Sequence, residues 1–144
     1  MESRRREGSD RHPLLVRITS SITYSYVGYS VAGNGDFNAD GYNDMGWAET
    51  GEDLAYITYG PMTGDYTSTS ADVTITGQLY DYTGSNLDVG DFNGDGYDDL
   101  VVGSMYANGY LGMHQIFNGP ISSDLSTLKD ADFTIVGSGT YSYI

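Results

Sequence analysis

GDFNGDGYDDLVVG, Gly90 to Gly103, sets four aspartates and an asparagine within residues 91–99 and follows them at once with the apolar run Leu100–Val102. Charge packed that densely against a segment destined for a core is costly unless something neutralises it. The chain does this twice. GDFNADGYNDMGWA, Gly35 to Ala48, has the same internal spacing, and Asp36 and Asp91 lie 55 residues apart.

The repetition extends beyond these loops. ITYGP (Ile57–Pro61) returns as IFNGP (Ile116–Pro120) after 59 residues, and ADVTITG (Ala71–Gly77) returns as ADFTIVG (Ala131–Gly137) after 60. TYSYV (Thr23–Val27) is echoed by TYSYI (Thr140–Ile144), 117 residues on, which is two periods. A fixed period of this length marks stacked units, each unable to bury its apolar face alone.

Within each unit the pattern predicts four short strands. In the first these are Tyr29–Ala32, Asp44–Ala48, Leu54–Tyr59 and Asp72–Thr76. In the second they are Leu87–Val89, Asp99–Gly103, Gly112–Phe117 and Asp132–Val136. Period-two alternation is clearest in the last strand: Val73 and Ile75, or Phe133 and Ile135, face one way, and Thr74 and Thr76 the other. Helical periodicity is absent, and Ser122–Lys129 has room for one turn at most. Four antiparallel strands per unit fit an all-β fold built of propeller blades better than a sandwich. The blade-like units run over 27–81 and 82–139, with extra length in GPMTGDYTSTSA and GPISSDLSTLKDA. Residues 18–26 are read as the last strand of a preceding blade, 140–144 as the start of a following one, and 1–17 as a basic, unstructured tail. Because two blades cannot close a propeller, the chain is expected to be part of a longer one or to assemble with copies of itself.

Composition narrows the partners. The chain has 144 residues, 20 of them glycine and 14 tyrosine, no cysteine, and a net charge of −14. Arg4, Arg5, Arg6, Arg11 and Arg17 crowd the start, leaving Lys129 alone beyond them. The acidic body lacks the cations that phosphate contacts require, so nucleic acid is excluded as a partner and an anionic membrane surface is disfavoured. No apolar run approaches the length that crosses a bilayer, and PLLVRI is too short for a signal core. The absence of cysteine removes disulfides, thiol nucleophiles and Cys-based zinc sites.

Both acidic loops fit D-x-N-x-D-G-x-x-D. Oxygen ligands at positions 1, 3, 5, 7 and 9 suit a hard cation, and calcium takes 6–8 of them. The candidate ligands are Asp36, Asn38, Asp40, the Tyr42 carbonyl and Asp44 in the first loop. In the second they are Asp91, Asn93, Asp95, the Tyr97 carbonyl and Asp99, with Gly41 and Gly96 at the sharp turns. Two structural Ca2+ sites are therefore expected. An EF-hand is excluded, because its position 12 needs an acid and here carries Trp47 or Val102, between strands rather than helices.

VGYSVAGNGDFNADGYND and GDFNGDGYDDLVVG, with IFNGP and ADFTIVG after them, resemble FG-GAP repeats, the blades of integrin-α-type β-propellers and related bacterial surface proteins. The resemblance covers residues 27–137. It implies a seven-bladed propeller with calcium in the loop between first and second strands of some blades, an extracellular setting, and adhesion or ligand recognition. Two departures stand out: MGWAET (Met45–Thr50) in the first unit replaces the family's apolar strand, and VVGSM in the second lacks the GAP proline.

No catalytic constellation is visible. His12 lies in the tail and His114 within a strand, where it reads as structural. Glu49, Glu52 and Asp53 read as a solvated acidic loop rather than as paired glycosidase carboxylates. Tyr24, Tyr26 and Tyr29, Tyr80 and Tyr82, and Tyr141 and Tyr143 recur near the start of each unit. They are expected to pack between blades, or else to line a recognition surface for protein or carbohydrate. The expected function is thus a non-catalytic, calcium-stabilised recognition module. An accessory module of a secreted hydrolase and a self-assembling lectin-like subunit are the alternatives.

Overall fold

The computed structural model describes residues 16–139. Most of the expected basic tail, His12, and the expected start of a third unit at 140–144 lie outside the described residues. The chain is all-β. Its strands are β1 (Arg17–Thr19), β2 (Val27–Gly35), β3 (Asp44–Glu49), β4 (Leu54–Thr58), β5 (Asp65–Thr67) and β6 (Val73–Thr76). After them come β7 (Thr83–Gly90), β8 (Asp99–Ser104), β9 (Met113–Phe117), β10 (Leu125–Ser126) and β11 (Phe133–Val136). A one-turn segment, α1 (Ala107–Tyr110), carries left-handed residues at Asn108 and Gly109 and is a turn more than a helix.

Two antiparallel sheets result, in the orders β6-β4-β3-β2 and β11-β9-β8-β7. Each is a meander whose neighbours in sequence are neighbours in space, which short connections favour. The four strands expected in each unit are present. The connections between third and fourth strands, expected to be loops, contain β5 and β10.

These small strands join one unit to the next. β10 pairs in parallel with β6, matching Leu125 to Ile75 and Ser126 to Thr76. β5 pairs in parallel with β1, matching Asp65 to Arg17 and Tyr66 to Ile18. β1 thus stands to the first unit as β6 stands to the second: an outer strand that receives a strand from the unit after it. Residues 20–26 form no strand.

The core lies between the sheets. On β3, β4 and β6 the alternation sends Gly46, Ala48, Ala55, Ile57, Val73 and Ile75 to one face, in register across the sheet. That face meets Leu87, Leu100, Val102 and Phe117 of the second sheet. Each large aliphatic or aromatic side chain so buried contributes roughly 1.5–3 kcal/mol. The fit is close: a Cβ placed on Gly84 would stand 2.5 Å from the Ala48 Cβ, and Gly84 has a φ of +82°. Only glycine meets both demands. The first sheet's other face buries Trp47 stacked on Tyr56, ring centroids 4.3 Å apart, with Trp47 Nε1 donating to Thr58 Oγ1 at 3.1 Å.

Candidate functional site

The acidic loops connect the first and second strands of each sheet, β2 to β3 and β7 to β8. They share one hydrogen-bond framework. In the first, Asp36 accepts from the N–H groups of Asp40 at 2.9 Å and Gly41 at 2.8 Å, and Asp40 Oδ1 accepts from Tyr42 N–H at 2.9 Å. In the second, Asp91 accepts from Asp95 at 3.0 Å and Gly96 at 2.9 Å, and Asp95 Oδ1 accepts from Tyr97 N–H at 2.9 Å. Asn38 and Asn93 each donate Nδ2 to the aspartate two residues on, at 2.9 Å. The turn glycines Gly41 and Gly96 have φ of +89° and +91°. At the fourth position Ala39 adopts the left-handed conformation that Gly94 takes in the other loop, a strained choice for a residue with a Cβ.

The ninth-position aspartates are placed differently from the rim. Asp44 is buried and accepts from Phe37 N–H and Gly60 N–H, both at 2.8 Å. Asp99 is buried likewise and accepts from Phe92 N–H at 2.8 Å and Gly119 N–H at 2.9 Å. Each therefore ties its loop to the Gly-Pro turn after the third strand, where Gly60–Pro61 and Gly119–Pro120 are cis. Burial pushes the Asp44 carboxyl up, against the N–H groups that favour its ionised form. Among the described residues no group of three or more acidic or histidine side chains stands gathered as around a metal. The loop carboxylates close on their own backbone N–H groups. The donor set nevertheless suits a hard cation: every candidate atom is oxygen, and each bonded carboxylate oxygen keeps lone-pair capacity.

The loops also touch one another. Asp98 Oδ2 accepts from the Asp36 N–H at 2.8 Å, and a cleft of about 520 Å³ between the loops is lined by Asp36, Asp40, Tyr97 and Asp98. Asn43 holds the corresponding position in the first loop.

Strand, acidic loop, strand and the turn after them in the second unit make up the stretch that carries the resemblance. Residues 83–113 match the family model of the FG-GAP repeat. The matched FG-GAP segment spans β7, the loop from Asp91 to Asp99, β8 and the turn to Met113, so the resemblance holds over that stretch. No curated protein matches the chain.

Other residues singled out in the sequence fall elsewhere. Asp53 and Glu49, expected in a solvated loop, are buried. That reading is corrected by their partners. The Asp53 carboxylate accepts the N–H groups of Tyr80 at 2.7 Å, Tyr82 at 2.6 Å and Thr83 at 3.3 Å, clamping the connection into the second unit. Glu49 Oε2 accepts from the Tyr56 hydroxyl at 3.3 Å, while Oε1 has no partner among the described residues. Burial first, and then the Glu49 charge and hydrogen bond, raise the Tyr56 pKa well above the usual phenol value. Nothing local marks Asp53, because its partners lie 27–30 residues away.

The tyrosines divide. Tyr82 packs edge-on against Tyr106, centroids 4.8 Å apart, whereas Tyr24, Tyr26, Tyr29 and Tyr80 are exposed rather than packed between units. Tyr141 and Tyr143 lie outside the described residues. His114 is on β9, half-buried, and burial lowers its pKa. No helix among the described residues is long and apolar enough to cross a membrane.

Proposed function

We propose that the chain is a segment of an FG-GAP-type β-propeller, two blades of a non-catalytic recognition module, with a structural calcium ion in each acidic loop. What carries the reading is the pairing of the loops: two D-x-N-x-D-G-x-x-D turns with matching hydrogen-bond frameworks, one inside the FG-GAP match. Asp36, Asn38, Asp40 and the Tyr42 carbonyl would hold one ion, and Asp91, Asn93, Asp95 and the Tyr97 carbonyl the other. Asp44 and Asp99 complete each set while tying the loop to its Gly-Pro turn. A bound ion supplies charge neutralisation, and the chain's own residues fix the angle between first and second strands.

Millimolar calcium outside cells fills weak sites of this kind, which favours an extracellular or cell-surface setting. Adhesion or recognition of a protein or carbohydrate ligand is the role we assign. In this reading the exposed face of the second unit takes a neighbouring blade, in a longer chain or by self-association. The test is a thermal melt in EDTA and then in rising calcium, with magnesium as control and with Asp36→Ala and Asp91→Ala. Calcium at 100 times its Kd is expected to add about 2.7 kcal/mol per site, and each variant to lose its share. A cooperative melt that calcium leaves unmoved would refute the calcium sites.

A further inference from the structure

Among the described residues five tyrosines adopt a backbone conformation that bulky side chains avoid, and four of them fall in two equivalent pairs. Tyr24 and Tyr26 have φ of +64° and +53°, and Tyr80 and Tyr82 have φ of +71° and +55°. Left-handed residues alternating with ordinary ones turn successive N–H groups toward one point, forming a concave receptor for an anion. In the second unit that receptor is filled by the Asp53 carboxylate, reached by Tyr80, Tyr82 and Thr83.

The first unit repeats the receptor in detail. Tyr29 N–H donates to Tyr26 O at 3.0 Å, as Ser85 N–H does to Tyr82 O at 3.1 Å. Gly51 N–H donates to Ser25 O at 3.0 Å, as Tyr106 N–H does to Asp81 O at 3.0 Å. Gly28 and Gly84, two residues after the second tyrosine of each pair, have φ of +76° and +82°. Val27 faces Glu49 in the ladder as Thr83 faces Ser104. Contact with Gly51 holds the first copy firmly: a Cβ on Gly51 would stand 2.1 Å from the Tyr24 carbonyl oxygen. One element differs. Among the described residues nothing accepts the N–H groups of Tyr24 and Tyr26, and no aspartate stands where Asp53 stands for the second copy.

We infer that the Tyr24–Val27 turn is a preformed carboxylate-binding site, built to receive one aspartate- or glutamate-type side chain or a free carboxylate. The shape exists before the ligand, so binding pays little ordering cost. Ser25, neutral and buried, takes the place that Asp81 holds in the filled copy, so an incoming carboxylate meets no charge from that position. The turn between β8 and β9 cannot supply the ligand in Asp53's manner. Gly112 occupies the Asp53 position there, shown by Gly137 N–H donating to Gly112 O as Gly77 N–H donates to Asp53 O. The inference is independent of calcium in the acidic loops and stands or falls separately.

The experiment tracks the backbone amides of 15N-labelled protein by NMR during titration with sodium acetate, with sodium chloride at equal ionic strength as control. The Tyr24 and Tyr26 amides are expected to move downfield saturably with acetate and not with chloride. A protein-concentration series without acetate distinguishes the source: movement there means that a carboxylate of a second copy fills the site. Asp53→Gly, which gives the first unit the residue the second already has, vacates the other receptor, and Tyr80 and Tyr82 should then respond to acetate too. If Asp53→Gly does not fold, the wild-type titration decides alone. Tyr24 and Tyr26 amides that stay fixed in both series, or that move equally with chloride, overturn the assignment.

Discussion

On the outer strand of the first sheet, Val73 and Ile75 are wholly buried, while their counterparts in the second, Phe133 and Ile135, are 54% and 53% exposed. The contrast runs across the whole face. Phe37 beneath the first acidic loop is 0% exposed, and Phe92 beneath the second is 51%. Ile57 is buried, and Ile116 lines an open apolar groove with Phe92, Phe133 and Ile135. The second, third and fourth strands match in register and alternation, and only β2 carries a further irregularity between Gly33 and Gly35, away from this face. The difference therefore does not come from the units themselves. It comes from the neighbour that each unit packs against: the first is covered by Leu87, Leu100, Val102 and Phe117, and nothing among the described residues covers the second. Burial here belongs to the junction between units, as expected where each unit contacts only its neighbours.

The largest expected effect tests that junction directly. Ile57→Ala should cost about 3 kcal/mol in urea denaturation, because the cavity it leaves is enclosed on both sides. Ile116→Ala, at the equivalent position, should cost less than about 1 kcal/mol, since solvent already reaches the groove. Equal losses would mean that the two faces are covered alike in solution.

Asp53→Ala should rank second, at about 2 kcal/mol, because three backbone N–H groups lose their acceptor at once. Hydrogen exchange at Tyr80 and Tyr82 should accelerate, and the amides within β3 and β4 should keep their protection. Uniformly faster exchange would argue that Asp53 holds the whole fold rather than the connection between units.

The smallest effect is on pH. Burial lowers the His114 pKa, so its contribution to stability is complete above the ordinary histidine value of about 6.5. That contribution is lost as pH falls through the lowered folded-state value, because the unfolded chain takes up the proton first. Discounted for its solvent contact, the change should stay below about 1 kcal/mol. His114→Gln should flatten the melting temperature between pH 7 and 5. The first unit has the fully buried Ala55 here, so a slope that persists in the variant has another origin.

The parts legible in the sequence are those written locally. Period-two alternation marks β6 and β11, and the Asp-Asn-Gly loops mark where β2 and β7 end. Alternation states which residues share a face, however, and not whether the face is covered; hence Phe133 and Ile135 read like Val73 and Ile75. β1, β5 and β10 span two or three residues, too few for a periodic signal, and their parallel pairing depends on a neighbouring unit. Asp53 reads as solvated because its partners are distant in sequence. In the acidic loops the spacing identifies every candidate oxygen. It does not reveal that Asp44 and Asp99 turn inward to hold the Gly-Pro turns, nor that Asp98 clasps the first loop.

The small parallel strand β10 has a consequence for the order in which the chain is made. The outer edge of the first sheet, β6, stays unpaired until Leu125 and Ser126 emerge, 49 residues after Thr76. The same late segment supplies Ile121 N–H to Phe37 O at 2.6 Å and the Asp124 carboxylate to Thr74 N–H at 2.8 Å. At synthesis rates of about 5–20 residues per second, that edge waits roughly 2.5–10 s on the ribosome with bare N–H and C=O groups. The first unit is completed by the second, so the growing polypeptide carries an unfinished first sheet until that late segment emerges.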